Sequence, residues 1–437
     1  MSIRLKHLSF SLLLFLLFFP FASLAVDKNT ALLIEKQIEK NKSQIINIRR
    51  FLHMNPELSN REYQTAKMVA STLISLGLEV KTGIAKTGVT AFLSGDEPGV
   101  TIALRADMDA LPIQELTDVP YKSLNPGVMH ACGHDIHTSI ALGTAMVLNT
   151  LKHKINGNIK FIFQPAEEGP PPGEEGGARL MIEEGVLESP PVRAIFGLHV
   201  WPQDLGNTFF SPGPMMASAD GFQIVIKGKS SHAAKPDEGI DAINIASQVV
   251  LAIQSIISRM IDPVDPAVIT IGTIEGGTRS NIIAEQVRLE GTIRTLSPAN
   301  REKIPKLMEE IIQGITHSFG AHYSFHYQQG PPPVYNHPQL AELMLPTLVD
   351  LLGEDHVKEI EPQMVAEDFS HYCQKIPGFF FFLGVKSPHL KNMAPLHSAY
   401  FNPDERSISL GIKIMCHLLL DCLAHQSIPG SHLRLSL

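Results

Sequence analysis

Cysteine is scarce in this sequence: four among 437 residues, at positions 132, 373, 416 and 422. None of their spacings forms a disulfide framework, and Cys416 and Cys422, six apart on a helical pattern, point to different sides of it. A pairing that spares Cys132 leaves one thiol over, so the sequence alone leaves the disulfide question open. An excess of basic charge is absent as well. Lys and Arg number 36 against 44 Asp and Glu, a net charge of −8, with no basic stripe or aromatic-interleaved basic run, which excludes a nucleic-acid partner. Long apolar runs are missing beyond residue 25: "GFFFFLG" (Gly378 to Gly384) is strand-sized, so no later membrane span is expected. Internal repeats are not found.

What is present begins with residues 1–25, which read as a secretory signal peptide. Arg4 and Lys6 precede the apolar run "LSFSLLLFLLFFPFA", and small residues at Ser23 and Ala25 follow in a cleavage-like pattern. An uncleaved anchor is the rival reading. Removal of this segment makes the net charge more negative and leaves enough chain for two or three domains.

From there "ALLIEKQIEKNKSQIINIRRFLH" and "REYQTAKMVASTLISLG" have apolar spacings of three and four and predict two helices, the second starting at a capping box of Ser59 and Glu62 and stopping at Gly77. The period then changes. Strands at 89–93, 100–106, 158–164 and 194–200 alternate with helices at 134–151 and 178–187, which predicts an α/β domain with a mostly parallel sheet covered on both faces.

A Pro-, Gly- and Ser-rich break at "SPGPMMASADG" precedes a β-α-β-β-α-β pattern, the order of a ferredoxin-like α+β unit. Its strands are predicted at 222–228, 267–276, 287–295 and 322–328, with helices at 242–260 and 301–319. "QGPPPVYNHP" closes it, and the chain returns to helix, to "GFFFFLG" and to a last helix from Pro403 to about Ala424. The expected organisation is a discontinuous catalytic domain (26–216 and 330–425), an inserted lid or dimerisation domain (217–329) and a frayed tail (426–437), with the chemistry in the cleft between the domains.

In an open parallel sheet, ligands bind beyond the carboxyl ends of the strands. Asp107 and Asp109 follow the strand ending at Ala106, Glu167 and Glu168 follow the one ending at Gln164, and "AIFGLHV" delivers His199; Cys132 and His134 start a helix on the same rim. Each has a plain alternative. Cys132 could be a buried free thiol, the two Glu a solvated loop, His199 a core histidine, and Asp107 and Asp109 turn or cap residues. Their convergence on one edge favours a metal site. Thiolate, imidazole and carboxylate suit zinc, manganese, cobalt or nickel, and two ions could clamp one water and lower its pKa toward about 7. On an irregular loop one Glu of the pair can hold metal while the other takes the water's proton.

"RADMDALP", "HACGHDIHT", "FQPAEEG", "GLHVWP", "SSHAAKP", "GGTRSNII", "GTIRT" and "AEDFSHY" occur in this order over nearly the whole chain after residue 25. Together they resemble the metal-dependent aminoacylase/carboxypeptidase family, in the branch of hippurate hydrolases, thermostable carboxypeptidases and auxin–amino-acid conjugate hydrolases. The resemblance implies a metallopeptidase-like catalytic domain in which Cys132 bridges two divalent ions, manganese or zinc first and cobalt or nickel after them. His134, Glu168, His199 and His397 of "PLHSAYF" complete the ligands. By the same resemblance Glu167 is the general base and acid, Asp109 orients a ligand or the metals, and His232 polarises the scissile carbonyl. Asn281, and less surely Arg279 or Arg294, hold the substrate's carboxylate.

The sequence departs from that family in the proline-rich, acidic stretch "GPPPGEE" after Glu168, expected to narrow the substrate entrance. Asp237 in "KPDEG" replaces a usual histidine, and "SS" stands where a glycine pair is common. The expected activity is hydrolysis of the amide bond of N-acyl or N-aroyl amino acids, with a carboxypeptidase or dipeptidase as the alternative and a non-catalytic metal or peptide binder behind both. The expected partners are a small-molecule substrate and a second copy of the chain through the inserted domain, with no membrane after signal cleavage. A periplasmic or secreted bacterial-type enzyme is expected, with a plant secretory member as rival.

Overall fold

The computed structural model describes residues 26–425 and Ile428. Residues 1–25, expected to be a signal peptide, and, apart from Ile428, the tail 426–437 lie outside the described residues. In chain order the helices are α1 (Lys28–Met54), α2 (Tyr63–Ser75), α3 (His134–Asn149), α4 (Gly177–Glu183), α5 (Ala242–Ser255), α6 (Pro298–Ser318), α7 (Pro338–Leu352), α8 (Ser370–Cys373) and α9 (Arg406–Ala424). The strands are β1 (Glu79–Ile84), β2 (Gly88–Ser94), β3 (Glu97–Asp107), β4 (Asn156–Gln164), β5 (Val192–Asp204), β6 (Thr208–Phe210), β7 (Gly213–Met216), β8 (Asp220–Lys227), β9 (Ala267–Gly276), β10 (Gln286–Thr295), β11 (His322–Gln328), β12 (Val334–Asn336), β13 (Val357–Glu359) and β14 (Gly378–Lys386).

The larger sheet has the order β1-β2-β4-β3-β5-β14-β6-β13. Its centre, β4-β3-β5-β14, is parallel, and antiparallel pairings join β1 to β2, β2 to β4 and β14 to β6. Burial on both faces explains the unbroken apolar run of β14. Phe379 and Phe381 pack with residues of α1, α3 and α9, while Phe380 and Phe382 pack on the opposite face with Met181, Phe369 and Tyr372. Helix α3 is buried from His134 to Leu148. Two glycines let it lie close to α9: a Cβ at Gly143 would stand 2.3 Å from Ile412, and one at Gly411 2.4 Å from Ile140.

The smaller sheet has the antiparallel order β11-β8-β10-β9, the ferredoxin-like arrangement. Its core is Phe222, Ile224 and Ile226 of β8 with Ile245, Val249 and Ile253 of α5 and Ile304, Met308 and Ile312 of α6. The chain enters and leaves it along the antiparallel ribbon of β7 and β12.

Several local expectations are corrected. Ser59 and Glu62 form no capping box; the amides of Gln64 and Thr65 at the start of α2 donate to the Glu57 carboxylate instead, at 3.1 and 2.9 Å. Helix α4 ends before Gly185, whose φ of +81° no Cβ-bearing residue adopts cheaply. Strand β5 runs past His199 to Asp204 because β14 continues to pair with it beyond the end of β3. Two helices reach the length and apolarity of a membrane span where the sequence suggested none, Ala242–Met260 and Arg406–Ala424. The second is a core helix, 78% buried over its most apolar window, and the first covers the smaller sheet.

Candidate metal centre and active site

Helix α3 begins at the rim of the sheet, and buried charge fixes its first turn. Arg49 of α1 places Nε 2.9 Å from Asp135 Oδ2, and His53 donates Nδ1–H to the same oxygen at 2.7 Å. An acidic residue in the first turn also suits the helix dipole. Gly133, at φ +91°, turns the chain into the helix where a Cβ would meet Val200 at 2.4 Å. Cys132 and His134 flank that turn.

His397 arrives from the loop before α9. Its own backbone is left-handed, φ +62°, and its N–H donates to the Ala131 carbonyl at 2.9 Å, laying the loop alongside Cys132. Cys132 Sγ consequently stands 3.2 Å from Nε2 of His199 and 3.2 Å from Nε2 of His397. Glu168 Oε1 is 3.4 Å from His397 Nε2 and 4.0 Å from His134 Nε2.

Hydrogen bonds select the tautomers. His134 donates Nδ1–H to the Asp109 carbonyl at 2.9 Å, and His199 donates Nδ1–H to the Val200 carbonyl at 2.7 Å. Both rings therefore turn Nε2 into the site, where a bound cation would displace any proton and take the lone pair. His134 Nε2 and Glu168 Oε1 are buried without a hydrogen-bond partner, which an open ligand position explains.

The charge balance fits cations too. Burial, then Glu168, Glu167 and Asp107, push the Cys132 thiol well above its usual range. Burial opposes a charge on His134, but Asp107, Asp109 and Glu168 outweigh it and raise the ring to about 10. Burial and then the His137 and His134 rings hold His199 well below the ordinary histidine range. Four carboxylates gathered around a thiol and two imidazoles leave negative charge that a pair of divalent ions would neutralise. Cys132, His134 and His199 form one donor group, and Cys132, Glu168 and His397 another, with the thiol common to both.

Glu167 stands between the ligands and a second acidic group. Its Oε2 is 3.8 Å from His134 Nε2, and its carboxylate clusters with His134 and Glu168 on one side and with Glu367 and Asp368 on the other, Cys132 belonging to neither cluster. Burial first, then Glu367, Glu168 and Asp368, push its carboxyl well above the ordinary range, the condition a proton-carrying acid needs. Asp109 receives Ser59 Oγ–H at 2.7 Å and the Glu168 N–H at 3.0 Å on one oxygen, so it orients both a ligand ring and the ligand loop.

Asp107, already placed on this rim by the sequence, completes the floor together with His137 and Arg105, which carried no role there. Asp107 accepts from His137 Nδ1–H at 2.6 Å, and His137 Nε2 accepts the Val200 N–H at 2.9 Å. Buried Arg105 bonds Asp107, Glu367, Asp368 and Gln164 at 2.7 to 2.9 Å. "AEDF" was visible as a motif and His137 as the second His of "HDIHT", but their partners are remote in sequence.

A cavity of about 620 Å³ opens over these groups, lined among others by Cys132, Glu167, Glu168, His199, His397, Met216, Met364, Leu396 and Arg294. Arg294 is half-buried and makes no ion pair among the described residues. His232, Asn281 and Arg279 do not line it. They are exposed on the smaller domain, where Ala233 N–H donates to the Asn281 carbonyl and His232 Nδ1 accepts from Ala234 N–H. The acidic stretch after Glu168 does not narrow the entrance: only Gly169 reaches the cavity, and Glu174 ties the stretch outward to Arg61, Lys86 and Asn60. All four cysteines are free.

Residues 103–421 match the sequence pattern of Peptidase family M20/M25/M40. The chain belongs to this family. It is 43% identical over 390 residues to thermostable carboxypeptidase 2 of Saccharolobus solfataricus, covering 89% of this chain and 97% of that one. It is 40% identical over 376 residues to IAA-amino acid hydrolase ILR1-like 4 of Arabidopsis thaliana, covering 85% of this chain and 83% of that one. Among solved structures it is similar to the Bacillus subtilis YXEP protein, described as a dinuclear metal binding peptidase from the M20 family, with a TM-score of 0.77, 36% identity and coverage of 88% of this chain and 99% of that one. This M20 protein is a metal-dependent hydrolase, and its fold is that of the family: a mixed α/β catalytic body with a mostly parallel central sheet.

Proposed function

We propose that the protein hydrolyses the amide bond of N-acyl or N-aroyl amino acids, with Cys132, His134, Glu168, His199 and His397 holding two divalent ions, manganese or zinc before cobalt or nickel. The observation that carries this reading is the Cys132 thiol shared between two histidine Nε2 atoms, with a separate buried carboxylate, Glu167, in the same cavity. Bound there, such ions would polarise a carbonyl and bring a water's pKa from 15.7 toward about 7. Glu167 takes the proton of the attacking water and hands it to the leaving nitrogen. Arg294 pairs with the substrate's carboxylate from the cavity wall, with Asn281 and Arg279 joining only if the smaller domain closes. His232 would supply the oxyanion donor in that closed form, swung about the ribbon of β7 and β12.

The acyl reading is favoured over a dipeptide with a free amine by the cavity's acids. Glu367 Oε1 and Asp368 Oδ1 accept from Arg105 and Glu168 faces the metal position, so the acids left open are Glu367 Oε2 and Glu167, and an ammonium group paired there would engage the base itself. The carboxypeptidase reading draws on the names of relatives and remains the second. Metal-depleted protein reloaded with manganese, zinc, cobalt or nickel and assayed on acyl amino acids and dipeptides separates them. Glu167→Gln should keep its metal and lose turnover; retained turnover would remove Glu167 from the role.

Two further parts of the reading are carried by surface and sequence. The outer edge of β9 is unpaired and Leu251 and Ile274 are exposed on the same domain, which supports a dimer through it; a monomer in small-angle scattering would remove that. The pattern of residues 1–25 supports export to the periplasm or beyond, and an N-terminus still at Met1 on the exported protein would argue for an anchor instead.

A further inference from the structure

The turn that carries the two catalytic glutamates is held from behind by a residue outside the cavity. Ala166, between β4 and Glu167, is buried and left-handed at φ +52°, a conformation that a residue with a Cβ keeps only when its surroundings impose it. The amides on either side of Glu167 are each gripped by a buried acid. Ala166 N–H donates to Glu62 Oε1 at 2.9 Å, and Glu168 N–H donates to Asp109 Oδ2 at 3.0 Å. The other oxygen of Glu62 accepts Thr87 Oγ1–H at 2.6 Å.

Glu62 is fully buried and, among the described residues, has no cationic partner. Burial chiefly, and then the charge of Asp109, push its carboxyl up to about 7. A buried carboxyl without a cation is an expensive way to tie down α2, whose first amides are already satisfied by Glu57. Its two bonds go instead to the catalytic turn and to the β1–β2 turn.

We propose that Glu62 is a positioning residue for the general base: by holding the Ala166 amide it fixes the left-handed turn that sends Glu167 toward Glu367 and Glu168 toward Cys132. The inference rests on Glu167 being the base. Thr87 can reverse its hydroxyl and the backbone N–H cannot, so what the turn requires is one acceptor oxygen. Glutamine supplies that oxygen and alanine does not.

The test compares Glu62→Ala, Glu62→Gln, Thr87→Val and Glu167→Gln in manganese-loaded protein with an acyl amino acid. Glu62→Ala is expected to lower kcat by about 100-fold, the scale of a small misplacement of a reacting group, with KM within about twofold. Its metal content by mass spectrometry should equal wild type, because Asp109 still holds the Glu168 amide. Glu62→Gln should restore kcat to within about threefold, and Thr87→Val should lose severalfold.

A merely structural Glu62 would lower thermal stability while the folded fraction kept its kcat. The inference is overturned by undiminished kcat in Glu62→Ala, by Glu62→Gln failing as badly as alanine, or by metal and kcat falling together. Should Glu62→Ala not fold, full kcat in Thr87→Val overturns it equally. Turnover in Glu167→Gln would instead overturn the assignment of the base, whereas an inactive Glu167→Gln beside an active Glu62→Ala removes only the positioning role.

Discussion

Cys132 and His397 stand 265 positions apart in the chain, and their Sγ and Nε2 atoms lie 3.2 Å apart in the fold. A backbone bond from His397 N–H to the Ala131 carbonyl makes that meeting a property of the loops, not of the side chains alone. The thiol should therefore be the ligand on which both metal positions depend. Cys132→Ser is expected to drop the metal content from two ions per chain to one or none, measured by mass spectrometry after gel filtration. With metal at a thousandfold over its Kd, each bound ion should add about 4 kcal/mol of stability, and the variant should lose that increment for every ion it no longer holds.

Arg294 is a cation of the cavity wall that makes no ion pair among the described residues. Arg294→Ala should raise KM for an acyl amino acid by about 10- to 100-fold with kcat nearly unchanged, the signature of binding lost equally from ground and transition states. The corresponding substrate amide, which has no carboxylate to pair, should show little change. Lysine should restore part of the loss, because it cannot reproduce a bidentate pair. A kcat effect without a KM effect would place Arg294 away from the carboxylate.

The ion pair between Arg49 and Asp135 is wholly buried and anchors the first turn of α3. Arg49→Met leaves Asp135 in the interior with His53 and the Ile136 N–H as its remaining partners and should cost about 3–5 kcal/mol in urea unfolding. Metal affinity should weaken as well, because His134 is the first residue of that turn.

The parts of this molecule legible in its sequence are those in which a residue's neighbours in the chain are also its neighbours in space. β14 could be read because a four-phenylalanine run buried on both faces has no other place than the middle of a sheet. The four strands of the smaller sheet were legible for a related reason, since side chains alternate regularly along β8 and β11. β6 and β13, three residues each, are too short to show a period and are strands only through pairing, β6 with β14 and β13 with β6. Cys132, His134, Glu167, Glu168 and His199 could be named because strand ends converge on one rim. His397 could not be chosen among 19 histidines without the family resemblance, since its place depends on a left-handed loop residue. Ser59 and Glu62 have the spacing of a helix cap; their actual partners, Asp109 and Ala166, are 50 and 104 positions away, which no local pattern records.

Glu62 also gives the fold a pH dependence whose sign can be derived. Its carboxyl titrates near 4.5 in an unconstrained chain and near 7 when buried here. Between those values the folded chain keeps a proton that the unfolded chain has released, so stability falls as pH rises through this window and reaches its low plateau above about 7. Two units of that window, from pH 5 to 7, correspond to about 2–3 kcal/mol. Glu62→Gln removes the titration while preserving the acceptor oxygen. Urea unfolding of the metal-free protein should then show the glutamine variant gaining on wild type between pH 5 and pH 8 by about that amount. An advantage of equal size at both pH values would mean that Glu62 ionises as freely in the folded protein as in the unfolded chain, and that the Ala166 amide is held by a carboxylate whose burial costs nothing.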